Sequence, residues 1–237
     1  NPWRVLFLLR GTRFSRMIGD RVRGNQCLAE AEEMLRPFLV EVFGDVFWGG
    51  GGGLEREYNL SVEDRDQARR IAVHLAVELS GELRASDRAL DALAWAIQAA
   101  NLDSPVVLRF QSVLEQARCL HALGDNEGAI EAARTAHTLA SESVDDVSAV
   151  LCAEASQFLG EVLQATRSDA LQEVATLAEE RLAFALRRGS VDWVQRAYSD
   201  RARLHFALGE QKEGIWKAQR AVRWIERMRR LTTRYDE

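Results

Sequence analysis

From Ser61 onward the apolar positions recur with the 3.6-residue period of amphipathic helices, with almost no strand-like alternation and a single proline, Pro105. Helix-start signals punctuate this pattern: Ser61 with Asp64, Ser104 before Pro105, Ser143 with Asp146, and Ser190 after Gly189. Each sets a side-chain acceptor ahead of an apolar run, where it can satisfy the unpaired amides of a helix N-terminus. The signals lie 43, 39 and 47 residues apart, and a period this regular predicts repeated helical hairpins. Upstream, residues 26–48 read as an amphipathic helix bending at Pro37, with Leu28, Ala31, Leu35, Phe38, Leu39, Val42 and Phe43 on its apolar side. Residues 13–23 predict a shorter helix with Phe14, Met17, Ile18 and Val22 on one side. The two carry more large apolar surface than 48 residues can cover alone, so they should dock on something.

Two stretches can be laid over one another. QARCLHALGDNEGAIEAARTAHTLA (116–140) and DRARLHFALGEQKEGIWKAQRAVRWI (200–225) share an Ala-Arg pair, a nearby Leu-His, and then Ala-Leu-Gly-acid. Ala117 and Ala202 allow two helices to approach closely, and Gly124 and Gly209 supply a turn that tolerates positive φ. Ala129, Ala133 and Ala136 then form the seam of the second helix. These residues resemble the tetratricopeptide repeat (TPR), whose hairpin has a small residue in helix A, a Leu-Gly-Asp-like turn and small residues along helix B. The resemblance covers about residues 61–231. Ala89, Leu93 and Ala96 fit it in a first copy; the stretch around Ala155 lacks the turn. The period near 40 is similar to the longer repeats of MalT-like bacterial regulators.

The resemblance implies an all-α, TPR-like helical-hairpin solenoid of about four repeats, acting as a protein-protein interaction module, scaffold or adaptor. Its partner, a helical or extended peptide segment, would lie on the face of the A helices. Carried over by the turn alignment, the groove positions are His74 and Glu78, then Gln111, Leu114, Arg118 and His121, then Arg196, Ser199, Arg203 and Phe206. Arg118, Arg196 and Arg203 would make part of that face electropositive and suited to carboxylates, or would merely keep an exposed face soluble. The alternative function is the ligand-sensing or regulatory domain of a bacterial MalT-like transcription regulator.

The run Gly49-Gly50-Gly51-Gly52-Gly53 separates these two regions. Five glycines favour neither helix nor strand and act as a flexible tether spanning roughly 12 Å. Composition shifts across it, from Phe-rich to Ala-rich. The expectation is a helical segment at 1–48, a linker at 49–53 and a repeat domain at 54–237, with the first segment a fused partner fragment that docks through Leu28, Leu35, Phe38, Leu39, Val42 and Phe43. A natural chain with a glycine hinge and an N-terminal helical cap is the alternative.

Composition narrows the function. The chain has two lysines, Lys212 and Lys217, against 29 arginines, as a GC-rich bacterial genome would give. The net charge of −5 conceals a basic arm, since residues 1–25 carry Arg4, Arg10, Arg13, Arg16, Arg21 and Arg23 against Asp20 alone. Arg220, Arg223, Arg227, Arg230 and Arg234 align along the last helix. Nucleic acid could bind such a stripe, but the neighbouring apolar stripe of Ala221, Trp224, Met228 and Leu231 fits a helix that caps a solenoid. Three dispersed cysteines point to a reducing compartment and hence the cytoplasm, and no apolar run is long enough for a bilayer span. Nucleophile-elbow, His-Glu-x-x-His and Walker patterns are missing, and the glycine run has no following Lys-Ser/Thr. No catalytic activity, cofactor or metal is therefore expected. Cys119 and His121, two apart on a helix, would point to different sides.

Overall fold

The computed structural model describes residues 2–43, 62–102, 104–141, 146–166, 170–189 and 191–233, excluding the side chains at 2, 38–43, 62, 64, 65, 146–149, 171, 191, 192, 228, 229 and 231–233. The pentaglycine run, the candidate caps Ser61, Ser143 and Ser190, and the side chains of Phe38, Leu39, Val42 and Phe43 lie outside the described residues. Among the described residues there are ten α-helices and no strand. They fall into two compact units, residues 1–140 and 141–237.

The first unit holds α1 (Pro2–Met17), α2 (Arg21–Phe43), α3 (Val62–Arg84), α4 (Ala89–Asn101), α5 (Val106–Ala122) and α6 (Asn126–Ser141). The second holds α7 (Asp146–Thr166), α8 (Leu171–Arg188), α9 (Val191–Ala207) and α10 (Gln211–Thr233). α3, α5, α7 and α9 begin one or a few residues after the serines that marked them. At α5, however, the N-cap is Pro105 rather than Ser104, because proline fits the entry to a helix and gives up no amide there.

The N-terminal region departs from its pattern. The helix foreseen over 13–23 does not form as a unit; α1 runs to Met17, the chain turns at Gly19 and α2 starts at Arg21. Gly19 has φ 81°, a conformation glycine adopts without the cost of a Cβ. Asp20 then caps α2, its Oδ1 accepting from the Arg23 amide at 3.0 Å. α5 turns into α6 in the same way: Gly124 has φ 83°, and Asp125 Oδ1 accepts from the Gly128 amide at 3.0 Å. Ile18-Gly19-Asp20 is therefore a third copy of the Leu-Gly-acid turn. α2 continues as one helix through Pro37.

In the first unit, one buried cluster among the described residues joins α1 and α2 to α3, α4 and α5. Val5, Leu8 and Leu9 of α1, Leu28, Ala31 and Leu35 of α2, and Leu75, Leu79 and Leu83 of α3 form a continuous buried cluster that reaches Cys119 of α5. Each fully buried leucine contributes about 1.5–3 kcal/mol. Of the expected docking residues, Leu28 and Leu35 are thus in this core. Small residues set the spacing elsewhere, with Ala92, Ala96 and Ala99 buried on α4 and Ala129, Ala133 and Ala136 on α6. In the second unit Leu182, Ala185, Val194, Ala197, Tyr198 and Ala221 form a cluster with Trp193 and Trp224 packed against it.

Candidate functional site

Counted back from the turn glycine, three helices share a register. Thr12, Ala117 and Ala202 stand at one position, and Arg13, Arg118 and Arg203 follow them. The small residue is buried in all three, and the arginine beside it leaves the core and meets an acid. In the first unit Arg13 on Glu82 ties α1 to α3, and Arg84 on Glu115 ties α3 to α5.

Glu82 of α3, its side chain 4% exposed, lies between Arg13 and Arg16 of α1. Arg13 Nε donates to Glu82 Oε1 at 3.0 Å, and Arg13 Nη2 donates to Glu78 Oε2 at 3.3 Å. Burial and then the neighbouring Arg13 charge pull the Arg16 pKa below its ordinary value. Glu115 of α5, 5% exposed, takes Arg84 of α3 at 2.7 Å and Arg118 of its own helix at 3.4 Å. Burial alone would lower the Arg84 pKa, but the hydrogen bond and charge of Glu115 outweigh it and the net shift is upward. Across the α2–α4 side, Arg88 Nη1 donates to Glu32 Oε2 at 2.8 Å.

The structure places the residues expected in a groove as follows. His74 is exposed on α3, and Glu78 is half-buried in the α1–α3 seam. Gln111 and Arg118 are half-buried on α5, and His121 is exposed with its Nδ1 2.9 Å from Asn126 Oδ1. Leu114 does not join them: at 1% exposure it belongs to the core side of α5 with Phe110, Val113 and Ala117. In the second unit Arg196 and Arg203 are exposed and Ser199 accepts from Gln195 at 3.2 Å. Phe206 remains 48% exposed while its ring sits over Gly214 of α10, so closely that a Cβ there would lie 2.7 Å from it.

The electropositive face expected from Arg118 and Arg203 is largely neutralised, since Glu115 engages the first and Asp200 the second at 3.6 Å. Asp200 also accepts from the buried Arg181 of α8 at 2.6 Å. Sequence pattern singles out none of Glu82, Glu115, Asp200, Arg84 and Arg181, and marks Arg13 and Arg16 only as part of a basic arm. A signal for two of them exists in Glu-Gln-Ala-Arg (115–118) and Asp-Arg-Ala-Arg (200–203), where the acid holds one register.

Cys119 and His121 diverge. Cys119 is fully buried with Sγ 3.6 Å from Ser80 Oγ, and burial pushes its thiol pKa up to about 11. No group of three metal-ligating side chains occurs among the described residues, and no helix among them is long and apolar enough to cross a membrane. On α10, Arg220 stacks over Trp216 and Arg227 over Trp224, at 4.9 and 5.2 Å from the ring centroids.

No protein-family model matches the chain, and no curated protein matches it. Solved structures do. A kinesin light chain-like protein of nearly identical TPR-like repeats from Podosopora anserina is 17% identical with a TM-score of 0.63, over 97% of this chain and 99% of that one. The MamA protein gives 0.50 at 13% identity, over 96% and 94% of the two chains. The Rap conjugation gene regulator of plasmid pLS20, solved in complex with the Phr* peptide, gives 0.53 at 11% identity over 93% of this chain and 63% of that one. At such identities the likeness establishes the fold alone: a TPR-like array of helical hairpins.

Proposed function

We propose that this chain is a protein-protein interaction module that binds a helical or extended peptide segment along its A helices. The observation that carries the reading is the edge-to-edge joining of α1, α3 and α5 by Glu82 and Glu115. Acid-arginine pairs hold three helices in a fixed surface, and His74, Gln111, Arg118 and His121 border it with polar groups at the exposed or half-buried level that recognition needs. The mixed charge of the pairs favours a partner segment that itself carries both carboxylates and cations. Residues 2–43 fit this reading as one hairpin of the array, because their turn and cap repeat those of α5 and α6.

A second reading, the ligand-sensing domain of a MalT-like regulator, draws support from the Rap regulator held with a peptide. The two diverge on ligand size. Peptides selected from a random display library on the full chain should bind in calorimetry and lose at least tenfold affinity with His74→Ala, Gln111→Ala and His121→Ala combined, while melting is unchanged. Affinity indifferent to that variant would move the surface elsewhere. A thermal shift with a small metabolite and none with any selected peptide would favour the sensor.

A further inference from the structure

Among the described residues, nothing covers the outer face of α1, where the same face of its counterparts is buried. In the register set by the turn glycines, Phe7 corresponds to Ser112 and Ala197, and Phe14 to Cys119 and Leu204. Those four counterparts are all buried, at 0% to 3% exposure; Cys119 lies against Ser80 of α3. Phe7 is 75% exposed, Phe14 62%, Met17 79% and Ile18 60%. Three large apolar side chains on one face of α1, with Ile18 just past its end, make a patch of the kind that marks an interaction site.

The register also locates a charge. Glu115 and Asp200 hold one position, and each receives an arginine from a preceding helix, Arg84 and Arg181 respectively. α1 has Arg10 at that position. Arg10 is exposed and makes no ion pair among the described residues. The polarity of the site is reversed, so whatever covers α1 must bring the carboxylate.

We infer that the outer face of α1 docks an amphipathic helix of a partner protein, one that seats Phe7 and Phe14 in its apolar seam and sets a Glu or Asp against Arg10. Charge disfavours a second copy: α1 has no acid, a two-fold pairing about its centre would set Arg10 against Arg10, and the outer face of α10 carries Arg220, Arg223 and Arg227. Size disfavours a further repeat stacked as α3 is on α5, because there Cys119 meets Ser80 where α1 has Phe14. An anionic membrane would call on several free cations at the rim, yet Arg4, Arg13 and Arg16 are engaged by Glu30, Glu78 and Glu82. Exposed aromatic anchors beside an arginine match the composition of binding hot spots.

The test uses the full chain and a displayed library of amphipathic helices with an apolar seam and its central position randomised. Glu or Asp should be enriched on the wild-type chain, Lys or Arg on Arg10→Glu, and nothing on Phe7→Asp with Phe14→Asp. These three positions are exposed, so circular dichroism melting should not move. Enrichment that ignores Arg10, or no enrichment beyond the double Asp variant, overturns the proposal. So does concentration-dependent self-association abolished by Phe7→Asp, or co-sedimentation with anionic vesicles that depends on Phe14 when no library helix binds.

Discussion

The hairpins α1–α2 and α5–α6 share a turn and differ in what they bury. Both have a positive-φ glycine followed by a capping aspartate, and both carry an arginine that pairs with a buried acid. On α5 the outward positions are small and covered, Ser112 and Cys119; on α1 they are Phe7 and Phe14 and uncovered. Folding therefore depends on the shared part, the turn and the inward stripe, whereas the outward stripe is free to differ in size and charge. A repeat can keep its place in the array while its outer face is given over to another partner.

The largest effect should come from the acids that bind the A helices together. Glu115→Ala leaves Arg84 half-buried without its partner, and Glu82→Ala does the same to Arg16. Breaking a buried pair from one side is costly, and about 3 kcal/mol is expected for each in urea denaturation. The comparison sharpens in hydrogen exchange, where Glu82→Ala should speed exchange chiefly in α1 and Glu115→Ala in both α3 and α5. Equal protection in all three helices of the Glu82 variant would show that α1 is held by its apolar contacts alone.

Within α1, Leu9→Ala and Phe7→Ala separate the two stripes. Leu9 is 2% exposed in the shared core, and its truncation should cost about 3 kcal/mol. Phe7→Ala should stay within about 0.5 kcal/mol, as exposed sites do. Because that cluster runs from α1 to Cys119 of α5, Leu9→Ala should lower the unfolding transition that α1 shares with α3 and α4. If α1 and α2 are a tied-on ligand, that variant would instead release them and leave the melting of residues 62–140 unchanged.

How much of this is legible in sequence follows from the range of each interaction. Leu123-Gly124-Asp125 and Leu208-Gly209-Glu210 announce their hairpins, because a turn and its cap are made within four residues. Ile18-Gly19-Asp20 has the same chemistry, but phenylalanines replace the small residues of its A helix, and the five glycines draw attention to a boundary further on. Leu114 illustrates a different limit: helical period alone does not tell the core side of α5 from its groove side by one residue. The acids are harder still. Arg13 reaches Glu82 across 69 residues and Arg84 reaches Glu115 across 31, and no local pattern connects positions that only the packing of three helices brings together.

The turns give a smaller effect that should be equal in the two hairpins. Gly19→Ala and Gly124→Ala each place a Cβ in the left-handed region, at about 1–2 kcal/mol, although neither Cβ would touch another group. Asp20→Ala and Asp125→Ala should each lose a cap worth about 1 kcal/mol. Thermal denaturation of the four variants checks both pairs. A Gly19 variant as stable as the wild type would mean that the first turn is not held by the hairpin it joins.

The finest comparison is chemical, because Cys119 stands at the position of Phe14. Burial holds its thiol pKa at about 11 against an ordinary 9.0, so at pH 8 its thiolate fraction falls roughly a hundredfold, and the thiolate is the reactive form. The sign for stability follows: a thiol whose pKa is raised by folding contributes in full below pH 9, and that contribution is lost as pH rises from 9 to 11, where the unfolded chain ionises first. Phe14→Cys places a thiol on the equivalent but uncovered face. Against a Cys27→Ser, Cys152→Ser background, a disulfide reagent at pH 8 should titrate one thiol of Phe14→Cys promptly and leave Cys119 at least a hundredfold slower. A selected partner helix should then slow the new thiol and leave Cys119 as it was. Slow reaction at position 14 without any partner would mean that the outer face of α1 is already covered, and the difference between the two hairpins would disappear.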